Sequence, residues 1–177
     1  MKIRELTAIL LLFFTFNCFS QEQNQLKELQ VDFRIMSELK LKNEKVAVVK
    51  VAKDKTYELQ LGLIRNKKCS VIPMSRNLEK NANYELDNLK ITDNYTIVEV
   101  FRREAGVNSS IGFLFSSDFN KHFKYIDFKE INKDAECIEK VQFNSKDNSI
   151  TVSLISLYPR KKFISYDFGH SWKLKHK

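Results

Sequence analysis

A chain of 177 residues with 43% hydrophobic residues can bury one real core but not several. Its net charge of +8 comes from lysines scattered among acids along nearly every segment. With no continuous basic, aromatic-laced stretch, that pattern speaks against a nucleic-acid partner and for a solvated lysine-rich surface.

Residues 1–20 read as a secretory signal peptide. Lys2 and Arg4 make a basic start, Ile9–Phe14 sits in a short apolar run, and Cys18 and Ser20 are the small residues before a cut at Gln21. The run is too short for a comfortable transmembrane span. A lipoprotein route would acylate Cys18, but Asn17 stands where a lipobox wants a small residue. The expected location is therefore periplasmic or extracellular. The leader resembles those of exported proteins of Bacteroidetes-type Gram-negative bacteria.

Residues 21–30 are polar, with Leu26 and Leu29 at helical spacing, and read as a mobile N-terminal segment. A single β domain is expected over 31–177. Val31–Met36 alternates as a strand does, and Leu39–Val51 and Tyr57–Ile64 are alternating or β-branched. A hairpin is expected near Asn66–Lys68, and Pro73 ends the strand through Ser70–Ile72. Met74–Leu89 is Asn-rich and charged, an irregular stretch with room for one helical turn around Leu78. Tyr95–Phe101 and Ile111–Phe115 read as strands, with Glu104–Ser110 as an exposed turn between them. Further strands are expected at Tyr125–Phe128, Ile138–Phe143 and Ser149–Ile155.

Cys69 and Cys137 remain after the leader. An even count in an oxidising compartment suggests one disulfide, closing a loop worth roughly 4 kcal/mol in chain-entropy models. Two buried free thiols are the alternative. No His/Cys/Asp cluster has metal spacing, and no cofactor is expected.

The most informative stretch is Ser165-Tyr166-Asp167-Phe168-Gly169-His170-Ser171-Trp172, with apolar residues on both sides. It reads as a hairpin turn. Asp167 can fold back onto backbone N–H groups, Gly169 allows a positive φ, and Trp172 offers a large apolar surface. A second copy runs from Ser116 to Phe123, with Asp118 in register, Asn120 in the glycine place and Phe123 in the tryptophan place. Asn is the next residue suited to positive φ. The step from Ser116 to Ser165 is 49 residues, within the range of a propeller blade repeat.

These octapeptides resemble the Asp-box (BNR) repeat of the sialidase-like propeller superfamily. The resemblance implies an all-β fold of two or three antiparallel, blade-like meanders, either a partial propeller or a β-sandwich-like domain. Repeat units would lie at 31–73, 90–130 and 136–177. It implies a structural, turn-forming role for Ser165, Asp167, Gly169 and Trp172, and for Ser116, Asp118, Asn120 and Phe123. Phe33-Arg34-Ile35-Met36 is similar to the Phe/Tyr-Arg-Ile-Pro segment of sialidases, with Met36 in the proline place. By that similarity Arg34 would be a ligand-binding arginine.

A complete sialidase propeller of six blades at about 49 residues needs nearly twice this chain. No spacing marks three arginines as convergent. The expected function is therefore an exported, non-enzymatic binding module for a protein or glycan partner. Two alternatives stay open: an incomplete sialidase-like glycosidase, completed as a homodimer, and a periplasmic immunity or inhibitor protein against a secreted toxin.

Overall fold

The computed structural model describes residues 27–28, 32–53, 56–118, 120–156 and 160–175. The expected signal peptide, Cys18 and most of the N-terminal segment lie outside the described residues. So does the link at 157–159 between the last long strands.

The fold is all-β, in two antiparallel sheets that do not close into a barrel. After β1 (Lys27–Glu28), four strands follow in simple up-and-down order: β2 (Phe33–Lys40), β3 (Lys45–Lys53), β4 (Thr56–Arg65) and β5 (Lys68–Val71). They form the first meander, and β1 pairs on its β5 edge. A second meander runs through β6 (Asn83–Ile91), β7 (Thr96–Glu104), β8 (Val107–Ser116) and β9 (Lys124–Asp127). One helical turn, α1 (Phe128–Ile131), leads to the third: β10 (Cys137–Asn144), β11 (Ser149–Ile155), β12 (Lys161–Ser165) and β13 (Lys173–Leu174).

The second and third meanders share one eight-stranded sheet through a single ladder pair, Ile138 with Ser110. There β8 changes neighbours along one edge. Residues Gly112–Phe115 pair with β9, and Ser110 pairs with β10.

Local sequence sets the turns. Asn66 and Lys67 both take positive φ, 47° and 66°, between β4 and β5. Ala105 and Gly106 do the same at 45° and 84° between β7 and β8. Two-residue hairpins need that left-handed geometry to match strand twist. The exposed turn expected over Glu104–Ser110 is thus only Ala105–Gly106, because Val107 already starts β8. The irregular stretch expected over Met74–Leu89 is half strand. Tyr84 and Leu86 alternate inward from β6, and the backbone of Leu78 bridges Leu59 instead of forming a helical turn.

Burial orders the three meanders into a stack. Val98, Val100 and Leu114 point from the second meander towards the first, whose Val46, Val48, Leu59, Leu61 and Leu63 complete that layer. Ile97, Phe113 and Phe115 point the other way, against Val141, Phe143, Ile150 and Val152 of the third. Hence β7 and β8 read as nearly unbroken buried runs, as strands covered on both faces do. The third meander shows a polar outer face, with Lys140, Gln142, Thr151 and Lys162. The face of the first meander turned away from the second holds a small buried cluster of Val49, Val51, Ile64 and Cys69, with Phe33 packed against it.

The expected disulfide is absent: Cys69 and Cys137 are both free. Cys69 belongs to the outer apolar cluster of the first meander, so its side chain faces away from the other two. Its sulfur lies over the bare backbone of Gly62, where an added Cβ would come within 2.6 Å. Cys137 opens β10 in the other sheet. Burial pushes both thiols up, that of Cys69 to about 11, so neither is an activated nucleophile.

Candidate functional site

Two turns with the same internal wiring stand side by side in the structure. In the turn after β12, the Ser165 hydroxyl donates to Asp167 Oδ1 at 2.7 Å and accepts from the Gly169 N–H at 2.8 Å. Asp167 Oδ1 accepts from the Ser171 N–H at 2.9 Å, and its carbonyl accepts from the His170 N–H. In the turn after β8, the Ser116 hydroxyl donates to Asp118 Oδ1 at 2.9 Å and accepts from the Asn120 N–H at 3.1 Å. Asp118 Oδ1 accepts from the His122 N–H at 3.0 Å, and its carbonyl accepts from the Lys121 N–H.

Each of these four bonds has its counterpart at the same offset in the other turn. Gly169 and Asn120 occupy the matching left-handed position, at φ 82° and 67°. The fifth polar contact differs in chemistry only. Asp167 Oδ2 takes the Ser171 hydroxyl at 2.6 Å, while Asp118 Oδ2 takes the His122 ring nitrogen.

Both carboxylates are committed acceptors. The Ser171 and Ser165 hydroxyls, with the Ser171 N–H, hold the Asp167 carboxyl far below the usual carboxylate range. Partial burial pushes Asp118 up, but hydrogen bonds from His122 and Ser116 outweigh it and leave the group below its ordinary value. An ionised carboxylate with its lone pairs filled by its own turn is a poor general acid. These aspartates shape backbone.

The two turns are fastened to each other. Lys124, the first residue of β9, donates to the Gly169 carbonyl at 3.1 Å and lies 3.3 Å from His170 Nδ1. Gly169 packs against Ile126, and the Phe168 ring stacks on Phe115 with centroids 5.9 Å apart. Between the turns lies an open cleft of about 550 Å³. Phe115, Phe168 and Tyr125 give it aromatic surface, and His122, His170 and Lys124 give it a basic side. Glu130 supplies an acid, hydrogen-bonded to Ser75. Clefts of roughly 300–1,000 Å³ with aromatic walls and a few polar groups suit small ligands or single side chains.

The cleft tyrosine is not an activated nucleophile. Burial pushes the Tyr125 phenol well above its ordinary range, and its hydroxyl is directed to the Ile111 carbonyl. Among the described residues no group of three His, Cys, Asp or Glu could hold a metal.

The other residues marked by the sequence lie elsewhere. Arg34 is exposed on the edge strand β2, opposite Lys50, and does not line the cleft. Five further arginines are engaged in ion pairs: Arg76 with Asp127, Arg102 with Glu79 and Glu104, Arg65 with Glu44, Arg103 with Glu85 and Arg160 with Glu139. They do not converge on Arg34. Phe123 is buried in the main core; Trp172 is half-buried against it, and its shielded indole N–H meets no acceptor among the described residues. The cleft residues Lys124 and Phe168 were not legible beforehand. Only the pairing of β8 with β9, and the seating of one turn on the other, brings them together.

Comparison of the chain with protein-family models, with curated proteins and with solved structures found no match in any of the three.

Proposed function

We propose that this is an exported, non-enzymatic binding module in which Asp-box turns cap three blade-like meanders. The cleft between the two boxes is its recognition site for a glycan or protein partner. The observation that carries the reading is the cleft itself: aromatic surface and a basic rim, flanked by two aspartates already used up by their own turns. A scaffold that spends its acids on backbone and leaves the Phe168 ring and two imidazoles facing solvent is suited to holding a partner, not to cleaving one. The position of Arg34, and the ion pairs that engage Arg65, Arg76 and Arg102, weigh against the glycosidase alternative. In this reading the first meander is a blade whose β4–β5 hairpin has replaced the box with an Asn-Lys turn.

The test has two arms. Purified protein is assayed with a fluorogenic sialoside and a panel of aryl glycosides, and no turnover is expected. It is then screened on a glycan array and in pull-downs from the producing cell's envelope. Phe168→Ala and His122→Ala should each weaken any captured partner by about tenfold or more, as loss of a contact worth 1–2 kcal/mol does. Turnover abolished by Arg34→Ala would instead establish the glycosidase reading.

A further inference from the structure

The turn that presents Phe168 is built against its own backbone preference. The His170 N–H donates to the Asp167 carbonyl at 3.2 Å, with Phe168 at φ 54° and Gly169 at φ 82° between them. A tight turn with two left-handed central residues favours Asn, Asp or Gly at the first of them. A bulky residue there is an outlier, and such strain collects where ligands are held. The ring is 37% exposed, so packing offsets only part of that cost. One face of it stacks on the buried Phe115, with the planes 23° apart, which leaves the other face to the cleft. The sequence repeats the choice: Phe119, outside the described residues, stands at the same place in the other box.

The polar groups of the cleft select among partners for that ring. His122 Nδ1 is bonded to Asp118, so in the neutral imidazole Nδ1 carries the proton and Nε2 is an acceptor. His170 Nδ1 accepts from the Lys124 ammonium at 3.3 Å, which puts the proton on Nε2 and makes it a donor. Neither Nε2 has a partner among the described residues. A hydroxyl can meet both, whereas a carboxylate only accepts. An anion is disfavoured further, because Lys124 is already directed to the Gly169 carbonyl and Glu130 adds negative charge to the same cleft. A phenylalanine or aliphatic side chain from a protein would cover Phe168 but leave both imidazole nitrogens unmet. A sugar ring, with C–H groups on one face and hydroxyls round its edge, meets all three.

We propose that Phe168 is the platform on which an uncharged pyranose ring of a glycan stacks, with His122 and His170 bonding its hydroxyls. This rests on the cleft being the recognition site and names the chemical class of its ligand.

Isothermal titration of the purified protein with cellohexaose, laminarihexaose, mannohexaose and xylohexaose tests this, with hexagalacturonate as the acidic comparison. At least one neutral hexasaccharide should bind, at least tenfold tighter than hexagalacturonate. Phe168→Asn should weaken it at least tenfold while the urea midpoint holds or rises, because Asn suits the left-handed backbone. Phe168→Trp, which keeps a flat aromatic face, should retain binding. Absence of neutral binding, equal or tighter binding of hexagalacturonate, or retained binding in Phe168→Asn would each overturn the proposal. So would a lowered midpoint in that variant, which would assign the ring to the fold. A protein captured from the cell envelope and lost on Phe168→Ala, with no hexasaccharide bound, would overturn the sugar assignment and leave the cleft reading standing. No saccharide and no partner dependent on Phe168 would remove both.

Discussion

Replacing Gly169 by alanine should separate two energies that one residue controls. The backbone there has φ +82°, and a Cβ would come within 2.4 Å of Ile126 Cδ1 and 3.4 Å of the Trp172 ring. The left-handed conformation costs an L-residue about 1–2 kcal/mol. Forcing a methyl against a fully buried isoleucine adds about 1–3 kcal/mol of overpacking. The expected loss is therefore about 2–5 kcal/mol. Gly106 supplies the reference, because its φ is +84° and nothing lies within 4 Å of the position a Cβ would take. Gly106→Ala should show the backbone cost alone. Ile126→Val removes the clashing carbon, and by itself should cost about 0.5–1.5 kcal/mol. Combined with Gly169→Ala it should bring the glycine substitution close to the Gly106 value. Urea denaturation of the four variants, at constant m-value, gives the cycle. Equal losses for Gly169→Ala and Gly106→Ala, or strict additivity with Ile126→Val, would refute the idea that the Ser165–Trp172 turn is seated on β9 through this contact.

Three further outcomes follow from the same structure. The Asp118 and Asp167 carboxyls are held below their ordinary value of about 3.9. The stability they contribute is present above that value and lost as pH falls through their folded values, so Asp167→Asn should flatten the acid limb of a urea-midpoint profile between pH 4 and pH 2. Glu99 behaves oppositely. Burial between the second and third meanders raises its carboxyl despite the Ser110 hydroxyl at 3.1 Å and nearby Lys90. Its contribution is full below about pH 4.3 and lost as pH rises through the folded value, so Glu99→Gln should raise the melting temperature at pH 7 and leave it unchanged at pH 4. Reducing agent should not move the urea midpoint, and thiol titration of the unfolded chain should count both Cys69 and Cys137; a reductant-sensitive midpoint would restore the disulfide.

The sequence made the strands legible where period-2 alternation or β-branching was strong, as at Val46–Val51 and Ser149–Ile155. It also exposed the two box turns, because Ser, Asp and a Gly or Asn at fixed offsets are what their hydrogen bonds require. It failed at β6. Asn83–Ile91 is charged and Asn-rich, and its strand character comes from pairing with β7 and from a bulge at Asp87–Lys90, where Asn88 takes φ 53°. Tertiary packing overrode local composition there. The cysteines misled for a related reason. Parity count and compartment say nothing about which face of which sheet a thiol occupies. The cleft was invisible because its members are distant in sequence and meet only through the seating of one box on the other.

Among the described residues the middle meander touches both others, and it meets them with opposite faces of the same two strands. A shift of β7 or β8 by one residue would exchange Val98 and Val100 for Ile97 and Glu99 on each side at once. Such a strand cannot drift to suit one neighbour without offending the second. The outer meanders face no such double constraint. Variation in this architecture should therefore accumulate from the ends inward, with the flanking units free to change their outer surfaces, and so their ligands, while β7 and β8 hold still.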